Sequence, residues 1–205
     1  MNENRRKGKI LLATTNKGKI KEFYSLLQNT PYIITTPDIE SVLLKVSEDG
    51  YTFAENAHIK AIAYMKKTGM ISLADDSGIE VDALEGRPGI YSARYGGESL
   101  RDEDRVDLLL KNMNGVPWEK RTARFKAAIV LAWPDGRTIL KEGILEGYIS
   151  YKSQGLNGFG YDPIFYLPEY DMTSAQLSKD EKNKISHRSV AAKKILEVLD
   201  EESNK

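Results

Sequence analysis

The chain has 205 residues, a length that predicts one large domain or two small ones. Lysine and arginine total 30, and aspartate and glutamate also total 30, so the formal net charge is zero. Proteins that bind a nucleic-acid backbone or an anionic membrane through their overall charge carry a basic excess. The balance therefore argues against nucleic-acid and membrane partners, although not against a local basic cluster around one small phosphate ligand. The chain has no cysteine, which excludes disulfide bonds, thiolate metal sites and a cysteine nucleophile.

The rest of the composition is that of an ordinary globular protein, with 40% hydrophobic and 29% charged residues. Its longest uninterrupted apolar run, residues 127–133, is far shorter than the roughly 20 residues that span a bilayer. The basic residues within 1–7 are not followed by an apolar stretch of signal-peptide length. These features predict a cytoplasmic enzyme or binding domain over residues 9–200, with flexible polar tails at 1–8 and 201–205.

The first predicted elements form a βα unit. The short apolar run at residues 10–13 predicts a buried strand. Asn16 is a suitable N-cap for a helix whose apolar face carries Ile20, Phe23 and Leu27. A strand that leads directly into a helix predicts a parallel or mixed sheet.

A second helix and a second strand follow. Thr52 and Glu55 form a T-x-x-E capping box, and Gly69 stands where a glycine ends a helix. Residues 71–74 predict a second buried strand, which is interrupted at residues 75–78 and then resumes.

The remaining chain alternates loops with regular elements. In chain order we predict a glycine-rich loop at 86–97, a helix at 102–112, strands at 122–133 and 138–150, a glycine-rich loop at 155–160 and a final helix capped by Ser186. The predicted fold is α/β with a long mixed sheet. The pattern leaves open whether the protein has one lobe or two.

The turn after the first strand, residues 14–19, could bind an anion. Backbone N–H groups at a helix N-terminus attract negative charge, and Lys17 and Lys19 add positive charge. The turn is not a Walker A loop, because Ala13 and Ile20 occupy positions that require glycine and serine or threonine. Taken alone, the turn is more typical of a capped helix with solvated lysines.

An acidic cluster could bind a metal ion. Glu48 precedes the capping box, and Asp75 and Asp76 follow the second strand. Hard oxygen ligands suit Mg²⁺, and α/β sheets bind ligands beyond the carboxyl ends of their strands. Adjacent side chains on an extended segment point in opposite directions, so one aspartate would bind metal or activate water while the other supports it. The alternative is that these residues only form a turn.

Two further motifs could contact a nucleotide. Asn56 and Lys60 lie four residues apart on the capping-box helix, where a lysine could meet a phosphate, although such lysines are more often solvated. Residues 158–163 place an aromatic ring between two glycines, which lets a flat ligand approach and stack. Alternatively, Phe159 and Tyr161 belong to the core.

The last motif lies at the start of the final helix. Lys182, His187 and Arg188 place donors there, and arginine has no acceptor, so it recognises a carbonyl oxygen rather than an amino group. A catalytic triad would have to use His58 or His187. No nucleophile motif of the G-x-S-x-G type accompanies them, so serine-hydrolase chemistry has little support.

Taken in order, these motifs resemble those of the inosine/xanthosine triphosphate pyrophosphatases, which hydrolyse deaminated purine nucleoside triphosphates to the monophosphate and pyrophosphate. The resemblance covers roughly residues 9–200 and is carried by the segments 12–16, 18–19, 52–53, 55–57, Lys60, 74–78, 88–94, 158–163 and 186–188. Thr15 departs from the glycine or serine that relatives often carry.

The resemblance implies a set of site residues. Substrate would be bound by Thr14, Thr15, Asn16, Lys17, Gly18, Lys19, Asn56, Lys60, Ser77, Phe159, Gly160, Tyr161, Asp162, Lys182, His187 and Arg188. Residues 14–19 would cradle the triphosphate, residues 159–162 would hold the base and sugar, and the last three residues of the set would read the purine edge. Glu48 and Asp76 would hold Mg²⁺, and Asp76 would also be the general base.

The resemblance also implies an elongated mixed sheet flanked by helices, two lobes with a central active-site cleft, and a homodimer. The implied role is to cleanse the nucleotide pool. Two alternatives remain open at this stage. One is a Mg²⁺-dependent phosphohydrolase with another base specificity, and the other is a non-catalytic nucleotide-binding module.

Overall fold

A computed structural model describes residues 8–203 of the chain. The helices and strands are β1 Lys9–Leu12, α1 Lys17–Leu26, β2 Ile33–Thr35, α2 Phe53–Thr68, β3 Ile71–Val81, α3 Asp102–Asn112, β4 Thr122–Ala132, β5 Thr138–Ile149, β6 Phe165–Leu167, β7 Met172–Thr173, α4 Lys179–Ile185 and α5 His187–Ser203. Most of the two predicted tails, residues 1–7 and 204–205, lies outside the described residues. Helix α5 continues to Ser203, with Leu199 buried, and the tail boundaries at 8 and 201 stay predictions.

The described strands form one mixed sheet in the order β2-β1-β3-β4-β5-β6-β7. β1 pairs in parallel with β2 and β3, whereas β6 pairs antiparallel with β5 and β7. The predicted α/β class with a mixed sheet is therefore confirmed. In the β1–β3 pair Leu12 lies opposite Leu73, so β1 ends beside the middle of β3, just before Asp75 and Asp76.

The predicted βα unit is confirmed in its details. The side chain of Asn16 accepts a hydrogen bond from the N–H of Lys19 at 3.0 Å and caps α1. Phe23 and Leu27 are buried, and Ile20 packs against the same cluster. Burial of this stripe fixes the face that α1 turns to the core and leaves its N-terminus accessible.

The second helix begins and ends as predicted, but its capping differs. Thr52 Oγ1 accepts from the N–H of Glu55 at 3.1 Å, and Gly69 ends the helix with a φ of 67°. The Glu55 carboxylate accepts from the N–H of Tyr51 at 2.6 Å rather than from that of Thr52. In the predicted capping box the Glu55 side chain would accept from the N–H of Thr52. In the structure it instead stabilises the loop before the helix.

Strand β3 is continuous, so the predicted interruption at residues 75–78 is wrong. The strand lies between β1 and β4 in the sheet and runs without a break from Ile71 to Val81, through the Asp-Asp-Ser-Gly segment. Gly78 is required there by a close approach and not by a turn. A Cβ at this position would lie 2.3 Å from the Ser92 hydroxyl oxygen.

The long elements after β3 match their predicted ranges to within one residue: α3, β4, β5 and the start of α5. The turn after β4 is closed by a hydrogen bond from the N–H of Trp133 to the carbonyl of Arg137 at 2.9 Å. Four short elements were not predicted: β2, β6, β7 and α4.

The chain divides into two compact units, each with its own hydrophobic core. Within the described residues, the first comprises 8–76, 127–143 and 188–203, and the second comprises 77–126 and 144–187. The first core is built around Phe23, Leu73, Ile129 and Ile195, and the second around Ile79, Leu109, Phe125, Ile164 and Phe165. One continuous domain over 9–200 and a cleft between lobes stay predictions. Among residues 8–203, no helix combines the length and apolar character needed to cross a membrane.

Candidate active site

The predicted anion-binding turn lies at the carboxyl end of β1. The N–H of Ala13 donates to the carbonyl of Leu73 at 2.8 Å, which holds the turn beside the segment that contains Asp75. Thr15, Asn16 and Lys17 are exposed, and Thr14 Oγ1 accepts from the N–H of Asn16 at 3.2 Å. An exposed helix N-terminus at a strand end has the geometry that phosphate groups prefer.

Asp75 lies at the centre of a buried ionic cluster in the first unit. Its Oδ2 lies 2.8 Å from Lys19 Nζ and 3.3 Å from Arg188 Nε. Burial alone would raise the pKa of Asp75, but the coulombic attraction of Lys19 and Arg188 outweighs burial and holds it well below its usual range. Asp75 is therefore ionised and organises two basic side chains.

Asp76 has the opposite environment. Its side chain is buried, and its Oδ1 lies 3.5 Å from Lys60 Nζ. Burial raises the pKa of Asp76, while Lys60 and Lys19 act in the opposite sense. Its Oδ2 is buried without a hydrogen-bond partner. This carboxylate oxygen is available to a proton, a water molecule or a cation.

Glu48 and Asp76 have the chemistry of a magnesium site. Lys60 Nζ lies 3.3 Å from Glu48 Oε2 and contacts Asp76 Oδ1, so one ammonium group brings the two carboxylates together. Mg²⁺ usually binds one or two carboxylates and completes its shell with water and substrate phosphates. The described residues contain no cluster of three or more His, Cys, Asp or Glu side chains suited to a metal ion. Two carboxylates are a donor set that Mg²⁺ accepts.

Two lysines converge on the backbone of Asp75. Lys60 Nζ donates to the Asp75 carbonyl at 3.0 Å, and Lys19 Nζ donates to the same oxygen at 3.3 Å. Burial lowers the pKa of Lys19, Asp75 opposes this, and Lys60 and Arg188 add to the lowering. Two ammonium groups that meet beside the end of β1 can donate to a polyanionic ligand.

Arg188 lies in the same cluster at the start of α5. Its NH1 lies 3.0 Å from Glu22 Oε2, in addition to the contact between its Nε and Asp75. Glu22 was not among the residues predicted from sequence. The available signal was its spacing, because Glu22 follows Lys19 by three residues and therefore shares its face of α1.

In the second unit, Asp162 closes the glycine-rich loop. Its Oδ2 accepts from the N–H of Phe159 at 2.8 Å and pairs with the ammonium group of Lys182. Its Oδ1 accepts from the Ser174 hydroxyl at 3.0 Å. A Cβ at position 158 would overlap the Asp162 carboxylate, and that glycine also has a φ of 77°, which explains the residue type.

Phe159 presents a half-buried ring beside a cation. Lys182 Nζ lies 5.2 Å from the centroid of this ring, within the range of a cation–π contact. The ring is held by its own backbone hydrogen bond to Asp162. Stacking of a flat base on this ring stays a prediction.

Other predicted contact residues belong to the core of the second unit. Tyr161 is buried, its hydroxyl donates to the Ser92 carbonyl at 2.9 Å, and burial raises the pKa of this hydroxyl. His187 is buried and stacks on Phe125, with ring centroids 4.8 Å apart. The alternative interpretation of Tyr161 as a core residue agrees with this placement.

Three more predicted site residues are Asn56, Ser77 and Gly160. Asn56 is 1% exposed, and its Oδ1 accepts from the N–H of Gly50 at 2.8 Å, which secures the loop that carries Glu48. Ser77 is half-buried and directly follows Asp76. The N–H of Gly160 donates to Asp102 Oδ2 at 3.1 Å, a contact that the sequence did not predict.

The chain is similar to known proteins over most of its length. The model of the Ham1 family matches residues 10–198. A dITP/XTP pyrophosphatase from Desulforamulus reducens is 49% identical over 191 residues, covering 93% of this chain and 95% of that protein. A dITP/XTP pyrophosphatase from Bacillus subtilis is 44% identical over 190 residues, covering 93% of this chain and 96% of that protein.

Solved structures show the same likeness. The Ham1 protein of Staphylococcus aureus is 41% identical with a TM-score of 0.85, covering 95% of this chain and 99% of that one. A HAM1 protein from Coxiella burnetii is 38% identical with a TM-score of 0.86, covering 94% of this chain and 98% of that one. The similarity therefore extends over nearly the whole length of each chain.

Proposed function

The chain belongs to the Ham1 family, and on that premise we propose that it hydrolyses deaminated purine nucleoside triphosphates to the monophosphate and pyrophosphate. The substrates would be ITP, dITP and XTP. The names of its relatives support this activity. The observation that carries the proposal is the arrangement of two adjacent carboxylates beside the end of β1. Asp75 Oδ2 lies 2.8 Å from Lys19 Nζ, and Asp76 lies beside Lys60 with its Oδ2 buried.

The first unit would bind the triphosphate. The N–H groups of residues 14–19 and the ammonium groups of Lys19 and Lys60 supply donors and positive charge. Glu48 and Asp76 would hold Mg²⁺, which, when bound, neutralises charge on the phosphates and polarises them. Phosphoanhydride hydrolysis depends mainly on such charge stabilisation and on alignment, and it needs no covalent nucleophile.

Asp76 would act as the general base. Its unpartnered Oδ2 is the oxygen that can accept a hydrogen bond from a water molecule, and its raised pKa makes it a stronger base than an ordinary carboxylate. A bond forms between the water oxygen and the α-phosphorus, and the bond from that phosphorus to the oxygen bridging to the β-phosphate breaks. The proton passes to Asp76, and pyrophosphate leaves intact.

The purine base would be recognised by stacking and by donors. Phe159 offers its ring, and Lys182, His187 and Arg188 would face the purine edge. A guanidinium has only donors, so it pairs with a 6-oxo group and is opposed by the 6-amino group of adenine. A site built to pair one group rejects an analogue that leaves buried donors facing each other.

The biological setting is also a proposal. Removal of deaminated nucleotides from the cytoplasmic pool, a Mg²⁺ requirement and a homodimer are all supported by family membership. Sedimentation of the full chain tests the dimer, and titration of activity with Mg²⁺ after chelation tests the metal requirement.

One assay separates the proposed activity from its alternatives. The protein is incubated with Mg²⁺ and ITP, XTP, dITP, GTP, ATP or CTP, and pyrophosphate and orthophosphate are measured separately. Pyrophosphate from the deaminated purines alone supports the proposal. Orthophosphate as first product, or preference for another base, indicates a different phosphohydrolase, and binding without turnover indicates a nucleotide-binding module.

A further inference from the structure

The glycine-rich loop at residues 154–160 carries Phe159 but has little apolar anchoring of its own. Residues 154–158 are exposed, and the side chain of Leu156 is fully exposed. Three of the seven loop residues are glycines, the residue type that restricts the backbone least. Apolar burial therefore contributes little to the order of this loop, and its conformation depends on hydrogen bonds to the rest of the second unit.

The loop lies against the segment 173–177 of the same unit. The Thr173 hydroxyl donates to the carbonyl of Gln154 at 2.7 Å. A Cβ added at Gly155 would lie 2.4 Å from the carbonyl group of Ala175, so the two backbones are in direct contact. Thr173 and Ala175 are fully buried. The segment is therefore a close-packed support for an exposed loop.

Asn157 makes two hydrogen bonds to this support. Its N–H donates to the carbonyl of Ala175 at 3.0 Å, and its side-chain Nδ2 donates to the carbonyl of Leu177 at 2.9 Å. Ala175 and Leu177 are buried, so both acceptors are held in place. Any residue except proline can make the first bond, whereas the second needs a side chain with a donor. Asn157 precedes Phe159 by two residues, so its amide fixes the loop next to the aromatic ring.

A loop that is already ordered binds a ligand more tightly than a mobile loop with the same contacts. A mobile loop loses conformational entropy when the ligand binds, and this loss weakens the affinity. An ordered loop has lost that entropy during folding. The side-chain bond of Asn157 should therefore favour any ligand that contacts Phe159.

We propose that Asn157 is a positioning residue for the nucleotide base, which keeps residues 154–160 ordered before binding so that the ring of Phe159 is in place to stack. The inference rests on the proposed function, because it assigns Phe159 to the base. Stacking on an aromatic ring tolerates different bases, because every base has a π-face. Loss of the Asn157 amide should therefore weaken nucleotide binding without changing base selectivity, and it should spare binding of the phosphates.

Asn157→Ala first tests the order of the loop. Alanine removes the bond to Leu177 and keeps the N–H that donates to Ala175. Hydrogen exchange followed by mass spectrometry measures the amides of residues 154–160 in the full chain without nucleotide. We expect exchange in this loop to be about fivefold faster than in the wild type, with exchange elsewhere unchanged.

The same variant then tests binding of the base. Calorimetric titration uses IMP as a probe that carries the base and inorganic pyrophosphate with Mg²⁺ as a probe that lacks it. We expect IMP to bind about fivefold more weakly and the affinity for pyrophosphate to change by less than about twofold. KM for ITP should rise about fivefold with kcat nearly unchanged, and the preference for ITP over ATP should stay the same.

Asn112→Ala is the matched control. Asn112 also has an exposed side-chain amide that donates within the second unit, to the Tyr95 hydroxyl at 2.7 Å. We expect this control to leave loop exchange, both affinities and KM unchanged. Asn157→Asp keeps the size of the side chain but places an acceptor opposite the Leu177 carbonyl, so it should reproduce the effects of Asn157→Ala if that variant fails to fold.

The outcomes are distinguishable. Unchanged loop exchange in a folded variant would overturn the inference, as would faster exchange with unchanged affinity for IMP. Equal weakening of IMP and pyrophosphate would indicate a general structural role and would also overturn it. Each of these results leaves the proposed function intact if the wild-type chain releases pyrophosphate from ITP. Failure of the wild-type chain to do so overturns the proposed function and with it the role of Asn157 in base binding.

Discussion

Asp75 and Asp76 are neighbours with opposite electrostatic environments. Side chains alternate along a strand, so the sequence predicted that the two would differ in role. It could not predict which carboxylate pairs with Lys19 and which with Lys60, because those lysines come from helices distant in sequence. The structure resolves this by placing the basic side chains of α1 and α5 on Asp75.

Replacement of Asp76 by asparagine tests its role as the general base. Asparagine has nearly the same shape but accepts no proton, so kcat for ITP should fall by about 10²–10⁴-fold. The unfolding temperature should change little, because the carboxylate is only weakly paired. Steady-state kinetics and thermal unfolding measure the two effects. Turnover close to that of the wild type would remove Asp76 from the mechanism.

Replacement of Asp75 by asparagine should instead act on stability. It leaves Lys19 and Arg188 buried without their shared carboxylate, so the free energy of unfolding should fall by about 3–5 kcal/mol. Urea denaturation measures this change. Asp135→Asn is the control, because Asp135 pairs with Arg137 on the surface, where water screens the contact, so its loss should leave the free energy of unfolding nearly unchanged. Equal effects would contradict the assigned role of Asp75.

At the scale of elements, the sequence pattern predicts those helices and strands whose bounds are determined by local interactions. Helix α3 and strands β4 and β5 have turns or long periodic faces, and their predicted ranges agree with the structure to within one residue. Helix α1 begins after its predicted N-cap, Asn16. The three-residue strand β2 is defined by its partner β1, which the local pattern does not show. Similarly, β3 continues through residues 75–78, whose composition indicates a turn, because its place in the sheet is set by tertiary contacts that the local pattern does not show.

The loop before α2 is positioned from the helix, which gives a prediction for Asn56. Asn56→Ala removes the acceptor for the N–H of Gly50 and should loosen the loop that carries Glu48. The free energy of unfolding should fall by about 1–3 kcal/mol. The Mg²⁺ concentration for half-maximal activity should rise several-fold, and Mn²⁺ binding followed by electron paramagnetic resonance should weaken in parallel.

A control separates this effect from general destabilisation. Asn112→Ala removes an exposed hydrogen bond to the Tyr95 hydroxyl at 2.7 Å in the second unit and should leave the metal requirement unchanged. A raised KM for ITP with an unchanged metal requirement in Asn56→Ala would show that Asn56 contacts substrate and does not position the loop.

At the scale of the whole molecule, a net charge of zero conceals a local concentration of charge. Lys19, Lys60 and Arg188 converge on Asp75 and Asp76, although the totals of basic and acidic residues are equal. The ordered motifs predicted which residues would be involved, and the family match confirms the resemblance inferred from them. The sequence could not predict the pairings, because buried ion pairs depend on tertiary contacts.

Ligand binding should stabilise the folded chain as a whole. A ligand present at about 100 times its dissociation constant adds about 2.7 kcal/mol to the free energy of unfolding. Mg²⁺ with pyrophosphate should therefore raise the unfolding temperature, and a chelator should reverse most of the rise. Thermal unfolding followed by fluorescence measures both effects. A melting temperature that pyrophosphate leaves unchanged with and without Mg²⁺ would contradict the proposed phosphate site.

The central claim is that water attacks the α-phosphorus of a deaminated purine nucleoside triphosphate. Hydrolysis of ITP in water enriched in oxygen-18, followed by mass spectrometry of both products, tests it most directly. The proposed mechanism predicts that the label enters the phosphate of IMP and is absent from pyrophosphate. Label in pyrophosphate, or in released orthophosphate, would contradict it.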